Sequence, residues 1–137
     1  MSNESRTLVH EWFERVWNQQ QREAIDELMA ADACVHGLKG ADGCDVAGTS
    51  AFHGMHEVFC EAFPDIKVEV EECLVDGDRI AFRCTVRGTH RGASLGVAPS
   101  GREVEFAGMG FVRVRDGQIV EAWNTFDFLA MNAQIAP

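Results

Sequence analysis

The sequence predicts an α+β fold: a curved antiparallel sheet wrapped around N-terminal helices, cone-shaped and with an internal pocket. Three observations carry this. Apolar residues recur at helical spacing as far as Pro64; the period then becomes strand-like; and two glycines, Gly108 and Gly110, interrupt the longest apolar strand, where a bulge or sharp bend would let the sheet curl.

The elements follow in order. Within residues 5–18, Val9, Trp12, Phe13, Val16 and Trp17 fall three and four apart and share one stripe of a helix, which Asn18 and the glutamines after it break. Ile25, Leu28 and Met29 supply the apolar side of a shorter helix over 23–30, so the first two helices form a hairpin. Residues 33–38, ACVHGL, read as a brief strand. The segment 37–48 holds too many turn residues for regular structure and is expected to be a mobile loop. A third helix is expected over 50–63, with Thr49 or Ser50 as N-cap and Pro64 ending it, since the residue before a proline is forced out of the helical region. Phe52, Met55, His56, Phe59 and Phe63 share its inner face.

Alternation then gives four long strands, 67–75, 79–90, 103–115 and 118–128, in one antiparallel sheet. Asp76-Gly77-Asp78 and Asp116-Gly117 are hairpin turns. The middle connection, 91–101, is longer and carries Gly92, Gly96, Pro99 and Gly101; loops of this length at a sheet end often carry function. Without a repeat or linker, residues 1–137 are expected to form one domain.

Composition narrows the function. No apolar run approaches the ~20 residues of a membrane-spanning helix, and the N-terminus lacks the apolar core of a secretory signal, so a cytoplasmic protein without membrane contact is expected. With a formal net charge of -10 and scattered arginines, there is no basic stripe to neutralise phosphates, which argues against nucleic acid as a partner. Cys34, Cys44, Cys60, Cys73 and Cys84 are widely spaced, signal neither a zinc site nor a disulfide framework, and are expected to be mostly small buried hydrophobes. His53 and His56, with Glu57 and Cys60 near, sit at a metal-ligand spacing, but spacing fixes no third ligand, so no metal is expected.

Three segments together, Gly88-Thr89-His90-Arg91-Gly92 followed by Pro99-Ser100-Gly101, then Asp116-Gly117-Gln118-Ile119-Val120-Glu121-Ala122-Trp123, and finally Asp127, resemble the SnoaL-like polyketide cyclase family. The resemblance extends over nearly the whole chain, including Trp17-Asn18 and Phe63-Pro64-Asp65. It implies the cone fold of the nuclear transport factor 2-like superfamily. It also implies a cofactor-free enzyme that closes a ring of a polyketide ester by intramolecular aldol condensation, or a related lyase or isomerase, using an Asp near a His. Asp127 and His90 stand at the matching positions. The superfamily also contains members without catalysis, so the alternative is a binding module for an apolar or aromatic small molecule.

Strand parity puts Glu121, Trp123, Thr125 and Asp127 on one face; a carboxylate beyond the Trp123 ring would lose solvation and become a better base. The competing reading is that Asp127 caps a short C-terminal helical turn. His90 ends the apolar stripe Ile80, Phe82, Cys84, Val86, Gly88, where it would orient Asp127 or donate to an enolate oxygen. Trp17, His36, Met55, His56, Phe59 and Trp123 are expected to line the pocket, with Met55 and Trp123 making it more apolar than in the antibiotic-pathway cyclases. Parity turns Arg83 and Arg87 outward, although the epoxide-hydrolysing members of the superfamily use an Arg between two Asp residues, and a bulge would turn Arg83 in. The outer sheet face, with Met109 and Phe111 among the arginines, is expected to support a homodimer.

Overall fold

The computed structural model describes residues 3–39 and 45–137. Helix α1 (Asn3–Trp12) runs into a π-helical turn (Phe13–Asn18), followed by α2 (Arg22–Leu28), β1 (Met29–Lys39), β2 (Asp45–Ala47), α3 (Gly48–Ala62), β3 (Lys67–Asp76), β4 (Arg79–Thr89), β5 (Glu103–Arg115), β6 (Gln118–Phe126) and α4 (Phe128–Ile135). Among the described residues the strands form one six-stranded sheet of order β2-β1-β6-β5-β4-β3.

The first helix keeps its expected stripe. Val9, Trp12, Phe13, Val16 and Trp17 are all buried, and the rings interlock with α3 and the sheet: Trp12 meets Phe52 edge-on at 5.2 Å and Phe13 meets Phe82 at 5.1 Å. Asn18 ends the π turn by acting as a strand substitute. Its Oδ1 accepts from the Val68 amide at 2.7 Å and its Nδ2 donates to the Val68 carbonyl at 3.0 Å, which ties the helix to β3.

Four features differ from expectation. The second helix stops at Leu28, because Met29 turns extended and pairs with Ile119 of β6. The sheet is mixed, not wholly antiparallel: β1 lies parallel to β6, with Val35 opposite Ala122 and His36 opposite Trp123. This covers backbone groups that β6 would otherwise leave unpaired against the core. Helix α3 begins at Gly48 behind Ala47, with no side-chain cap, so neither Thr49 nor Ser50 serves as one. Of the expected 37–48 loop, Gly37 to Lys39 belong to β1 and Asp45 to Ala47 form β2, while residues 40–44 lie outside the described residues.

The four long strands and their turns stand close to the predicted positions, and Asp116 and Gly117 both adopt positive φ, 52° and 76°, as the hairpin turn requires. Of the cysteines, Cys84 alone among the described residues is buried; Cys60 and Cys73 are half-buried, Cys34 is exposed, and Cys44 lies outside the described residues. The expectation of mostly buried cysteines is therefore corrected. Burial pushes the Cys84 thiol up to about 12 and the Cys60 thiol to about 11, so both stay protonated at neutral pH.

Curvature comes from β5. Its inward positions alternate Phe106, Gly108, Gly110, Val112, and the two glycines leave room for rings from the neighbouring strands: a Cβ at 108 would collide with Phe126, and one at 110 with Phe82. The sheet folds around those rings and closes over α1 and α3. Replacing Gly108 or Gly110 by Ala is expected to overfill the concave face and cost about 1–3 kcal/mol, measured as a lowered urea midpoint; an unchanged midpoint for both variants would show that the rings do not need the space.

Candidate ligand cavity

The helices and the concave face of the sheet enclose a cavity of about 80 Å³. The helices bring Val9, Trp12, Phe13 and Trp17 from the first and Phe52, Met55 and Phe59 from the third. The sheet brings Val35 and Leu38 from β1, Phe82 and Val86 from β4, Phe106 and Val112 from β5, and Ile119, Ala122, Asn124 and Phe126 from β6. No titratable side chain is among the described lining residues, and Asn124 supplies the one side-chain amide.

Asn124 reaches the cavity because β1 makes room for it. Gly37 sits at φ 87°, and a Cβ there would collide with the Asn124 carbonyl; the Asn124 Nδ2 leans toward the His36 carbonyl at 3.4 Å, a long and weak contact. Residues 122, 124 and 126 point inward, so the face shared by Glu121, Trp123 and Thr125 is the outer one. Stepping back by twos from Phe126 finds Asn124 in the sequence, but the size of Trp123 argues the other way.

Trp17, Met55 and Phe59 line the cavity as expected. Trp123 and His36 do not, and that expectation is corrected. They stack on each other at 5.3 Å on the outer face, where Phe111 packs edge-on against Trp123 at 5.6 Å and the Arg113 guanidinium lies 5.8 Å from its ring. His36 Nε2 is 2.9 Å from Glu121 and its Nδ1 is 3.8 Å from Asp45. His56 is buried beside Trp17 but is not part of the lining; its Nε2 donates to the Val16 carbonyl in the π turn at 2.6 Å. His53 points to Asp26 at 3.0 Å, so the two helix-α3 histidines diverge, and no cluster suited to a metal ion occurs among the described residues.

The structure does not bring Asp127 and His90 together on the cavity. Asp127 is exposed and caps α4, with Oδ1 accepting from the Ala130 amide at 3.0 Å. His90 is completely buried against Phe63. Its Nδ1 accepts from the Ser100 amide at 3.1 Å and lies 3.0 Å from the Ser100 hydroxyl, which places the proton on Nε2, where it has no partner among the described residues. His90 donates its backbone N–H to Arg102 and Asp127 to Ala107, so the two stand five residues apart along the β5 line, roughly 17 Å of strand. Arg83 faces outward and donates to Glu72 at 2.8 Å, as parity predicts.

Fold and cavity together define a cone of the nuclear transport factor 2-like type with an apolar interior. The chain belongs to the SnoaL-like polyketide cyclase family, whose model matches residues 7–135. Among solved structures, it is similar to IdmH of Streptomyces antibioticus, provisionally assigned as a polyketide cyclase, at 33% identity with TM-score 0.82, over 97% of this chain and 99% of that one. It is also similar to a provisionally assigned SnoaL-like polyketide cyclase of Jannaschia sp. CCS1, at 28% identity with TM-score 0.84, over 98% and 94% of the two chains. A third, AclR of Streptomyces galilaeus, provisionally assigned as a hydroxylase, shares 26% identity with TM-score 0.84, over 98% and 82%. No curated protein matches the chain in sequence. No helix among the described residues is long and apolar enough to cross a membrane.

The buried His56 generates a test. Burial is the largest influence on it and lowers its pKa from 6.5; the Val16 hydrogen bond opposes this, and the Arg22 and His53 charges add to it. Between that lowered value and 6.5 the unfolded chain binds a proton that the folded chain does not, so this group withdraws stability as pH falls through the window. Urea midpoints of the wild type are expected to drop more between about pH 7 and about pH 5 than those of His56→Gln; identical slopes would show that the imidazole is already charged in the folded state.

Proposed function

We propose that the cavity takes up a small apolar, ring-bearing molecule of the polyketide class, and that the protein promotes ring closure by holding it folded, with the Asn124 amide donating to the carbonyl oxygen that gains charge. The observation that carries this reading is the single amide in an otherwise apolar lining. In such surroundings a fixed donor to a developing oxyanion is worth about 3–4 kcal/mol, because little solvent competes for the charge. Holding the two reacting carbons in contact contributes further, as intramolecular geometry replaces encounter. Asn124 is partly exposed, so the proton released on enolisation has a route to solvent at its side of the cavity. This assigns no step to Asp127, whose carboxylate already serves α4.

A binding module without turnover is the second reading, favoured by the lack of any titratable group among the described lining residues. One experiment separates these from acid-base catalysis. With a β-polyketone ester as substrate, Asn124→Leu is expected to slow cyclisation about 100-fold, while Asp127→Asn, which keeps the helix cap, leaves the rate unchanged. Loss of turnover in Asp127→Asn with Asn124→Leu spared would restore the carboxylate as the base. Ligand affinity without turnover in the wild type would favour the binding module.

The outer face supports a homodimer. Register aligns Leu74, Ala81, Phe111, Trp123 and His36 in one row across five strands, beside Glu72, Arg83, Met109 and Thr125 in the next. Leu74 and Met109 are 69% and 60% exposed, and ion pairs such as Arg83–Glu72 and Arg87–Glu105 surround them with both signs of charge. Five strands about 4.8 Å apart give this face a width of roughly 24 Å. Sedimentation at micromolar concentration is expected to show twice the 15.1 kDa chain mass, and Trp123→Arg to return it to the monomer; a wild-type monomer would overturn this.

A further inference from the structure

The inner volume of this cavity is smaller than a ring needs. An engineered apolar cavity of about 150 Å³ takes up one benzene, and this one measures about 80 Å³. Some part of the wall must therefore move, and burial shows which. Of the lining residues, Phe59, Asn124, Phe126 and Phe128 are partly exposed and the rest are buried, so these four mark the mouth.

All four stand in regular structure, and what sets Phe128 apart is its place in the first turn of a short helix whose anchoring contacts lie at the other end. Phe59 stands in the last turn of α3, and Asn124 and Phe126 stand in the β5–β6 ladder opposite Gly110 and Gly108, with the Phe126 ring occupying the space over Gly108. Phe128 lies beyond the ladder, in the first turn of α4. That helix is anchored by its other end: Met131 and Ile135 are buried, Gln134 exchanges hydrogen bonds with the Glu105 backbone at 2.8 and 2.9 Å, and Arg102 donates to the Ala136 carbonyl at 2.8 Å. The Phe128 ring lies near-parallel to two others, 5.8 Å from Phe59 at 28° and 6.0 Å from Phe126 at 22°.

We propose that Phe128 is the gate and size-selecting residue of the cavity: its ring leaves the place between Phe59 and Phe126 to admit a ligand, and the flat ring of the ligand takes that place. The exchange retains the aromatic faces already present, because one planar ring replaces another between the same two neighbours. Its helix stays docked through Met131, Ile135 and Gln134 while the first-turn side chain moves. This inference rests on the apolar-cavity reading of the proposed function.

The probes are nitrobenzene and 1-nitronaphthalene, one ring and two, followed by quenching of tryptophan fluorescence in stopped flow, since Trp12 and Trp17 line the cavity. Phe128→Ala is expected to raise the association rate of the two-ring probe by about tenfold or more, within the range over which such rates vary among related complexes. Phe128→Leu, a smaller loss of volume that keeps the helix start apolar, is expected to fall between. Leu129→Ala, at a neighbouring position 84% exposed to solvent, is expected to match the wild type. Probe binding that persists with unchanged rates in both Phe128 variants overturns the gate and leaves the cavity reading intact. Equal acceleration by Leu129→Ala also overturns it, since loosening of α4 would then explain the effect. If neither wild type nor any variant is quenched, the cavity reading falls and the gate falls with it.

Discussion

Two phenylalanine rings rest where β5 has no side chains, Phe82 over Gly110 and Phe126 over Gly108, and most of the architecture follows from that contact. Without the rings the strand would have no reason to bend there; without the glycines the rings would have no room. The bend carries β5 and β6 around α1 and α3, narrows the interior to about 80 Å³, and leaves the Phe126 edge at the mouth beside Phe59 and Phe128. The same register sets Gly110, with the Phe82 ring over it, opposite Asn124, which is among the residues lining the cavity.

The interior so formed is chemically spare. An acid or base buried among these aromatic walls would pay a large desolvation penalty unless paired, and among the described residues none lines the cavity. The ionisable groups near it are committed elsewhere: Asp127 to the Ala130 amide, Glu121 to His36, Asp65 to the Thr89 amide and hydroxyl. For Asp65, burial pushes the carboxyl upward, yet the Thr89 amide and hydroxyl outweigh it and leave the pKa lowered. Among the described residues these charges are committed to the frame, and the cavity lining offers aromatic surface and one side-chain amide.

Much of the frame was legible in the sequence because it rests on local signals. Helical spacing of Val9, Trp12, Phe13, Val16 and Trp17, the Pro64 stop and the Asp116-Gly117 turn each act within a few residues, and each element stands where those signals put it. The parallel partnership of β1 with β6 was not legible, since it joins segments some ninety positions apart and no local pattern encodes it. The inward face of β6 was misread for a related reason. This sheet carries large apolar groups on both faces, so the alternation of Ala122, Trp123 and Asn124 gives a period but no direction, and the bulkier residue, Trp123, turned out to pair with Phe111 outside. The resemblance located Asp127 and His90 as a motif, but motif order carries no information on which side chain faces the cavity.

The Asn18 amide on β3 has an effect beyond holding a helix in place. A strand at the margin of a sheet offers hydrogen bonds to any passing extended chain, and Val68 has both of its own already answered from within the molecule. Templated fibre growth along that border is thereby discouraged at the point where the strand begins, and an unfolding event that freed Asn18 would expose it.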